Sequence, residues 1–319
     1  MGGVTNEIFR QLLRKGTHYD FVLTDSAEYV PLSWVISKLL KSPLLVRVRG
    51  DIWAEIHQKE KRGVHSMVGV EHFLRLYEYL LKRCRAVIPV SQYLADRINE
   101  KIGIKKDKIF VIPISVDSMR FAPKAPSDTF HNLDVKDQEI LLTVTNFRFP
   151  DKVALLEEFF PALARIMHIY PKTVFCIAGG GPYLKTFQEK LKNVIRPLSQ
   201  RIHFLSYVKN MESLYSIAKI FVYFSHLDAL PRVILEAQAS GLPIIANPFG
   251  GIRELIQHGQ TGFLIHSEEE LFQSAKRIIE DDRLRENLGK QAREFVNENY
   301  SPQAIGSLWI KVLKQIQSE

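Results

Sequence analysis

One stretch limits the folds open to this chain more than any other, Lys219 to Asn247, which reads KIFVYFSHLDALPRVILEAQASGLPIIAN. Two unbroken apolar runs, KIFVYFS and LPIIAN, bracket a short helical pattern. Apolar runs without alternation are strands buried on both faces, the kind found in parallel sheets covered by helices on each side. The segment between them carries its own punctuation. Pro231 suits a first helical position, where its missing N–H would be unpaired anyway, and Gly241 suits the left-handed residue just past the end. The spacing predicts a helix over residues 231–240 inside a βαβ unit.

In a unit of this kind the helix N-terminus points at the ligand edge of the sheet. Asp228, Ala229 and Leu230 then lie in the loop over that edge, where free N–H groups and the helix dipole favour an anion such as a diphosphate. Glu236, eight positions after Asp228, falls inside the helix among Val233, Ile234, Leu235, Ala237 and Ala239. A carboxylate in such company needs a partner. Ribose hydroxyls would serve; Arg232 one turn back, or plain exposure, are the alternatives.

The same α/β rhythm runs through the rest of the chain. YDFVLTD, PLLVRVRG and AVIPV read as strands of a first domain over residues 1–122, with helices at VPLSWVISKLLK and EHFLRLYEYLLKRCR between them. Residues 123–138 mix Pro, Ser, Asp and Asn without periodicity and read as a linker. A second domain, 139–299, opens with a buried strand, EILLTV, followed by a polar loop holding Arg148 and Lys152. Two cations near a strand's C-terminal end can neutralise a diphosphate; loop cations are also commonly just solvated. Gly179, Gly180 and Gly181 make a turn that lets backbone come close to another element or to a ligand. Residues 300–319 read as a last helix.

The 319 residues, 46% hydrophobic and 24% charged, suit two domains of ordinary size. No apolar run approaches the roughly 18 residues of a membrane span, and the N-terminus lacks a secretory pattern, so a cytoplasmic protein is expected. Two cysteines make no disulfide framework, and His57, His65 and His72 match no metal-ligand spacing. Residues 1–124 hold 21 Lys+Arg against 13 Asp+Glu, whereas 125–319 hold 22 of each. The basic excess of the first part could attract an anionic membrane, a phosphate-bearing acceptor or nucleic acid, or could simply solubilise it. At the end of a first-domain strand, Arg49, Gly50 and Asp51 offer a cation for an acceptor phosphate and a carboxylate for a proton or hydroxyl. The competing reading is an Arg49–Asp51 pair with Asp51 capping a helix.

The spaced acids of 228 and 236, then AQASGLPIIA, GGIREL and HGQTGFL, resemble family 4 of the retaining glycosyltransferases. The resemblance implies the GT-B architecture, two Rossmann-like domains with parallel sheets facing a cleft, the N-terminal one abbreviated and the last helix crossing back to it. It implies transfer of a sugar from a UDP- or GDP-linked donor to an acceptor hydroxyl with retained anomeric configuration, in glycan or glycolipid assembly and without a metal or other cofactor. Asp228 then contacts the donor sugar and Glu236 the ribose. Main chain at Ala229, Leu230 and Pro231 lines the sugar and diphosphate, Arg148 and Lys152 balance the leaving group, and Gly180, Tyr207, Val208 and Arg232 belong to the donor side. Arg49, Gly50 and Asp51 face the acceptor, where the family often has a histidine that this chain lacks. Gly2 and Gly3 resemble the family's first phosphate turn. The acceptor is a sugar or a lipid-linked sugar, nucleic acid is not a partner, and contact with the inner face of an anionic membrane is expected. Two rivals share the fold, a non-catalytic nucleotide-sugar-binding subunit and a sugar-nucleotide epimerase or hydrolase.

Overall fold

The computed structural model describes residues 18–60, 67–124, 129–130, 133–134 and 136–318. Gly2, Gly3, the helical pattern after them and His65 lie outside these residues. By their internal contacts the residues fall into two units, Met1–Ile112 with Val312–Glu319, and Pro113–Lys311. The division comes at Ile112, ahead of the expected 122.

The first unit contains β1 (Val22–Thr24), α1 (Val30–Leu40), β2 (Leu44–Val48), α2 (Ile52–Glu60), α3 (Met67–Arg83), β3 (Ala86–Pro89) and α4 (Gln92–Ile102). Its strands are parallel in the order β1-β2-β3. Right-handed crossovers that step in one direction place their helices on one face of a sheet, and here α1 and α3 touch. The Ser91 hydroxyl accepts from Leu94 N at 3.3 Å to start α4, and Gly103 ends it at φ 64°.

The second unit begins with an antiparallel pair, β4 (Thr129–Phe130) and β5 (Leu133–Asp134), inside the stretch expected to be linker. There follow β6 (Glu139–Val144), α5 (Pro150–Ile169), β7 (Thr173–Ala178), α6 (Leu184–Lys190), α7 (Lys192–Ile195), β8 (Ile202–Ser206), α8 (Met211–Ile217), β9 (Ile220–Tyr223), α9 (Arg232–Ala239), β10 (Ile244–Ala246), α10 (Ile252–Leu255), β11 (Gly262–Leu264), α11 (Glu268–Glu280), α12 (Asp282–Tyr300) and α13 (Pro302–Ser318). The residues of α13 from Val312 group with the first unit, where Arg85 Nη2 donates to the Ile316 carbonyl at 2.9 Å.

The six strands are all parallel in the order β11-β10-β9-β6-β7-β8. From β6 the chain winds outward through β7 and β8, then returns to the other side of β6 with β9. The winding direction therefore reverses between β6 and β9, and the crevice beyond their carboxyl ends is where open α/β sheets bind ligands. β7 and β9 are buried along their whole length, as their unbroken apolar runs require. A core of Phe147, Phe160, Phe175 and Phe187 packs edge to face beneath the β6 end, with Phe147 and Phe187 centroids 5.1 Å apart.

Two local expectations change. Pro231 is the cap of α9 rather than its first helical residue; at ψ 114° it is still extended, and Arg232 takes the first helical place. Lys152 belongs to the first turn of α5 rather than to a loop, because Pro150 starts that helix two residues earlier.

Helix α9 packs on α12 through backbone. Gly241 is left-handed at φ 79°, as expected, and a Cβ on Gly289 of α12 would lie 2.0 Å from the Gly241 carbonyl oxygen. In a helix alone Ala is favoured over Gly by about 1 kcal/mol. Here the overpacking cost, roughly 1–3 kcal/mol, should outweigh that gain. Gly289→Ala is expected to lower the urea midpoint and melting temperature; a variant as stable as the parent or more so would refute the close approach.

Candidate functional site

The reversal of strand order brings together residues more than seventy positions apart. Lys152, in the first turn of α5, is only 6% exposed. Its ammonium is ion-paired with Asp228 Oδ2 and donates to the Tyr223 hydroxyl at 3.0 Å. Tyr223, at the end of β9, in turn donates to Asp228 Oδ2 at 2.7 Å. Burial alone would push the Asp228 carboxyl up. The Lys152 charge and hydrogen bonds from Lys152, Ser225 and Tyr223 outweigh it and hold the group below the usual aspartate value. Asp228 is thus a carboxylate at neutral pH, with 21% of its side chain in reach of solvent. Arg148, two residues before Pro150, is exposed beside this cluster in sequence, its backbone N–H held by Asn146 Oδ1 and its guanidinium over Phe149.

The loop carrying Asp228 is fastened to β10. Ser225 N–H donates to Asn247 Oδ1 at 2.9 Å and Asn247 Nδ2 donates back to the Ser225 carbonyl at 3.0 Å, both groups being buried. The Ser225 hydroxyl then accepts from Leu227 N at 3.1 Å. Ala229, Leu230 and Pro231 are buried behind it. A Cβ on Gly251 would meet the Ala229 carbonyl oxygen at 1.8 Å, so the loop after β10 lies directly on the main chain at 229.

Glu236 lies one helical turn inside α9. Its partner is not Arg232, which is exposed, but the hydroxyl of Tyr215 on α8, 3.0 Å from Oε2. Burial raises the Glu236 carboxyl above its ordinary value; the Tyr215 bond and the charges of Arg232 and Arg120 pull the other way without cancelling it. Arg120 grips Glu212 of α8 with Nε at 3.3 Å and Nη2 at 3.1 Å, a two-point pair next to Glu236.

Of the glycine turn, Gly179 and Gly181 are needed for packing: Cβ atoms there would lie 1.8 Å from the Thr145 carbonyl oxygen and 2.6 Å from that of Phe147. Gly180 has nothing within 4 Å of a Cβ and stands open. Past β8, Tyr207 is 85% exposed and Val208 is buried.

In the first unit, Arg49 and Gly50 line a cavity of about 400 Å³ together with Asp25, Arg47, Glu55 and Tyr77. Arg49 pairs with Asp25 at 3.2 Å, both exposed, and not with Asp51. Asp51 is a correction. It is 2% exposed, caps α2 by accepting from Ala54 N at 3.0 Å, and is paired with Arg97 Nε at 3.1 Å with Tyr93 OH at 3.4 Å. A carboxylate so held orders the start of α2 and ties it to α4. Among the described residues no group of three or more His, Cys, Asp or Glu could hold a metal ion.

Tyr223, Tyr215, Arg120 and Asn247 were not singled out from sequence. Tyr223 alone left a trace, a hydroxyl inside an otherwise apolar strand, which must find a hydrogen-bond partner when buried.

The sequence pattern of the glycosyl transferases group 1 matches residues 126–295, more than half of the chain. The chain belongs to this family. The pattern of glycosyltransferase family 4 matches residues 6–120. Among the relatives of this group 1 member is N-acetyl-alpha-D-glucosaminyl L-malate synthase of Bacillus anthracis, 27% identical over 73% of the chain and 60% of the synthase. Another is the UDP-Gal:alpha-D-GlcNAc-diphosphoundecaprenol alpha-1,3-galactosyltransferase of Escherichia coli, 23% identical over 91% of the chain and 73% of that enzyme. The chain thus spans about three fifths of the synthase's length. The expected GT-B fold class holds. Anabaena HepE, solved in complex with UDP and glucose, superposes with a TM-score of 0.78 at 20% identity, over 99% of this chain and 81% of HepE. Sucrose-phosphate synthase of Thermosynechococcus elongatus gives 0.75 at 20% identity, over 99% and 77%.

Removing Asp228's charge leaves the Lys152 ammonium buried and unpaired. Asp228→Asn is expected to cost about 3 kcal/mol at neutral pH. Because the folded carboxyl titrates below the unfolded one, the pair's contribution is complete above the unfolded value, about 3.9, and is lost as pH falls through the folded value. Melting curves of parent and variant should therefore stay apart down to about pH 4 and converge only below it; convergence at pH 6 would contradict the pairing.

Proposed function

We propose that this chain carries the donor-binding and transfer machinery of a retaining glycosyltransferase, moving a sugar from a UDP- or GDP-linked donor to the hydroxyl of a sugar or lipid-linked sugar. The observation that carries the reading is the Lys152–Tyr223–Asp228 cluster, one helix away from the Glu236–Tyr215 pair, at the point where the sheet reverses its winding. The α9 N-terminus and Arg148 offer positive potential to a diphosphate there, which stabilises the departing group as the glycosidic bond breaks and does not call on a metal ion.

In this reading Asp228 accepts from hydroxyls of the donor sugar, while Tyr223 and Lys152 hold its carboxylate in position. Glu236 accepts from the ribose hydroxyls in exchange for, or alongside, the Tyr215 bond. Main chain at Ala229, Leu230 and Pro231 lines sugar and diphosphate, open backbone at Gly180 and the Tyr207–Val208 segment take the base side, and Arg232 adds positive charge at the helix start. Arg49 and Gly50 serve the acceptor from the cavity they line. The relatives support the chemistry: the E. coli enzyme is named for a UDP-galactose donor and a diphosphoundecaprenol-linked acceptor, and HepE was solved with UDP and glucose. The engagement of Asp51 with Arg97 and α2 speaks against an epimerase or hydrolase that would need it as a base.

A thermal-shift series with UDP, GDP and their sugars is the first test, since a ligand bound only by the folded state raises the melting temperature. Glu236→Ala should abolish most of the nucleotide shift. Tyr223→Phe should leave the shift with UDP or GDP unchanged and lower turnover by about tenfold to a hundredfold, the range of a lost positioning contact. Nucleotide affinity unaffected by Glu236→Ala would remove the ribose assignment, and a product with inverted anomeric configuration by NMR would remove retention.

A further inference from the structure

One fully buried hydroxyl decides where the Glu236 carboxylate points. Tyr215, on α8, is 0% exposed, and its hydroxyl lies 3.0 Å from Glu236 Oε2 and 3.4 Å from the Val233 carbonyl oxygen. A buried phenol has one proton to place, and the nearer carboxylate oxygen is the better acceptor. Glu236 is half-buried, and among the described residues no hydrogen bond engages its Oε1. The carboxylate is therefore held by one oxygen, with the other left to a ligand.

The position of Tyr215 is itself fixed from two sides. Its ring lies edge-on to Phe221 of β9 and to Phe121, each at 5.9 Å between centroids, and all three rings are buried. Phe121 comes from a turn that Asp117 organises, its side chain accepting from Met119 N at 3.1 Å and from Arg120 N at 3.0 Å. The same turn sends Arg120 to Glu212 in the first turn of α8, so a ring and a charge clamp one short helix. Asn210 caps that helix by accepting from Ser213 N at 3.2 Å.

The charged groups facing Glu236 are Arg232 of its own helix, Arg120 of the turn and Glu212 of α8. Burial pushes the Glu236 carboxyl up, and the Tyr215 bond opposes that more than either arginine does. A neutral phenol orients the group without neutralising it, so its capacity to accept from hydroxyls is kept. We propose that Tyr215 is a positioning residue of the nucleotide site, holding Glu236 by Oε2 so that Oε1 meets the hydroxyls of a ribose. This role rests on the reading in which Glu236 takes the ribose and deepens it: the phenol acts through Glu236 alone and stays bonded when the sugar arrives.

Tyr215→Phe keeps the ring against Phe121 and Phe221 and removes only the hydroxyl. Calorimetric titration with UDP and GDP tests the role. For the diphosphate that the parent binds, Tyr215→Phe should raise Kd about fivefold to tenfold at neutral pH. The diphosphate of the dideoxynucleoside, which offers Glu236 no hydroxyl, should bind parent and variant alike. Because the lost bond had held the carboxyl down, Glu236 of the variant titrates above that of the parent, and affinity should begin to fall at a higher pH on acidification. Phe121→Leu, which loosens the seat of the Tyr215 ring, should act in the same direction and less. In a Glu236→Ala background Tyr215→Phe should have no further effect. Equal Kd for parent and Tyr215→Phe, an equal loss for the ribose and dideoxy forms, an unshifted acid limb, or a loss that persists without Glu236 would each overturn the positioning role. Any of these with Glu236→Ala still weakening the nucleotide leaves the ribose assignment standing. A Glu236→Ala variant that binds as the parent does, or a parent that binds neither diphosphate, would remove both.

Discussion

A lysine ammonium taken almost entirely out of water needs a counter-charge within reach, and in this protein Lys152 finds it in Asp228. Much of the second unit follows from keeping those two groups together. Lys152 is delivered by α5, which begins at Pro150 directly after β6, and Asp228 by the loop after β9. They can meet only because β9 returns to pair beside β6 rather than continuing the outward march of β7 and β8. Tyr223, on the last residue of β9, closes the triangle with its hydroxyl and leaves the carboxylate one resting orientation.

Close backbone approach does the rest of the positioning. Gly251 lets the loop after β10 lie on the main chain at Ala229, Gly179 and Gly181 bring the β7 turn onto Thr145 and Phe147, and Gly289 lets α12 press on the end of α9. Arg293 of α12 adds a charged cap, donating to the Ala239 carbonyl at the C-terminus of α9. The cluster at 228 and the carboxylate at 236 are thus held by the two ends of one short helix. Rigid support of this kind keeps a polar site in register without a large polar core.

The two carboxylates, Asp228 in the loop before that helix and Glu236 within it, have been driven in opposite directions by their surroundings. Asp228 is held ionised by a lysine and a tyrosine, whereas Glu236, with a neutral phenol as its direct partner, is raised by burial. The two acids of one motif thus stand in opposite electrostatic surroundings.

Much of this was legible in the residue order. Unbroken apolar runs marked β6, β9 and β10, Pro231 and Gly241 bracketed α9, and four linked motifs carried the family resemblance, because strand burial, helix ends and backbone turns are local choices that local residues make. Other features could be read only in part. The sequence proposed Asp51 both as a reacting carboxylate and as a helix cap, and the fold chose the cap by bringing Arg97 to it across forty-six positions. It offered Arg232 to Glu236 by helical spacing, and the fold supplied Tyr215 from a neighbouring helix instead. By itself, then, the sequence determined the α/β class, the elements and the position of both acids; only the tertiary structure decided their partners, because a buried charge is paired by whatever the sheet order places beside it, and strand order is set by long-range packing that no stretch of residues contains.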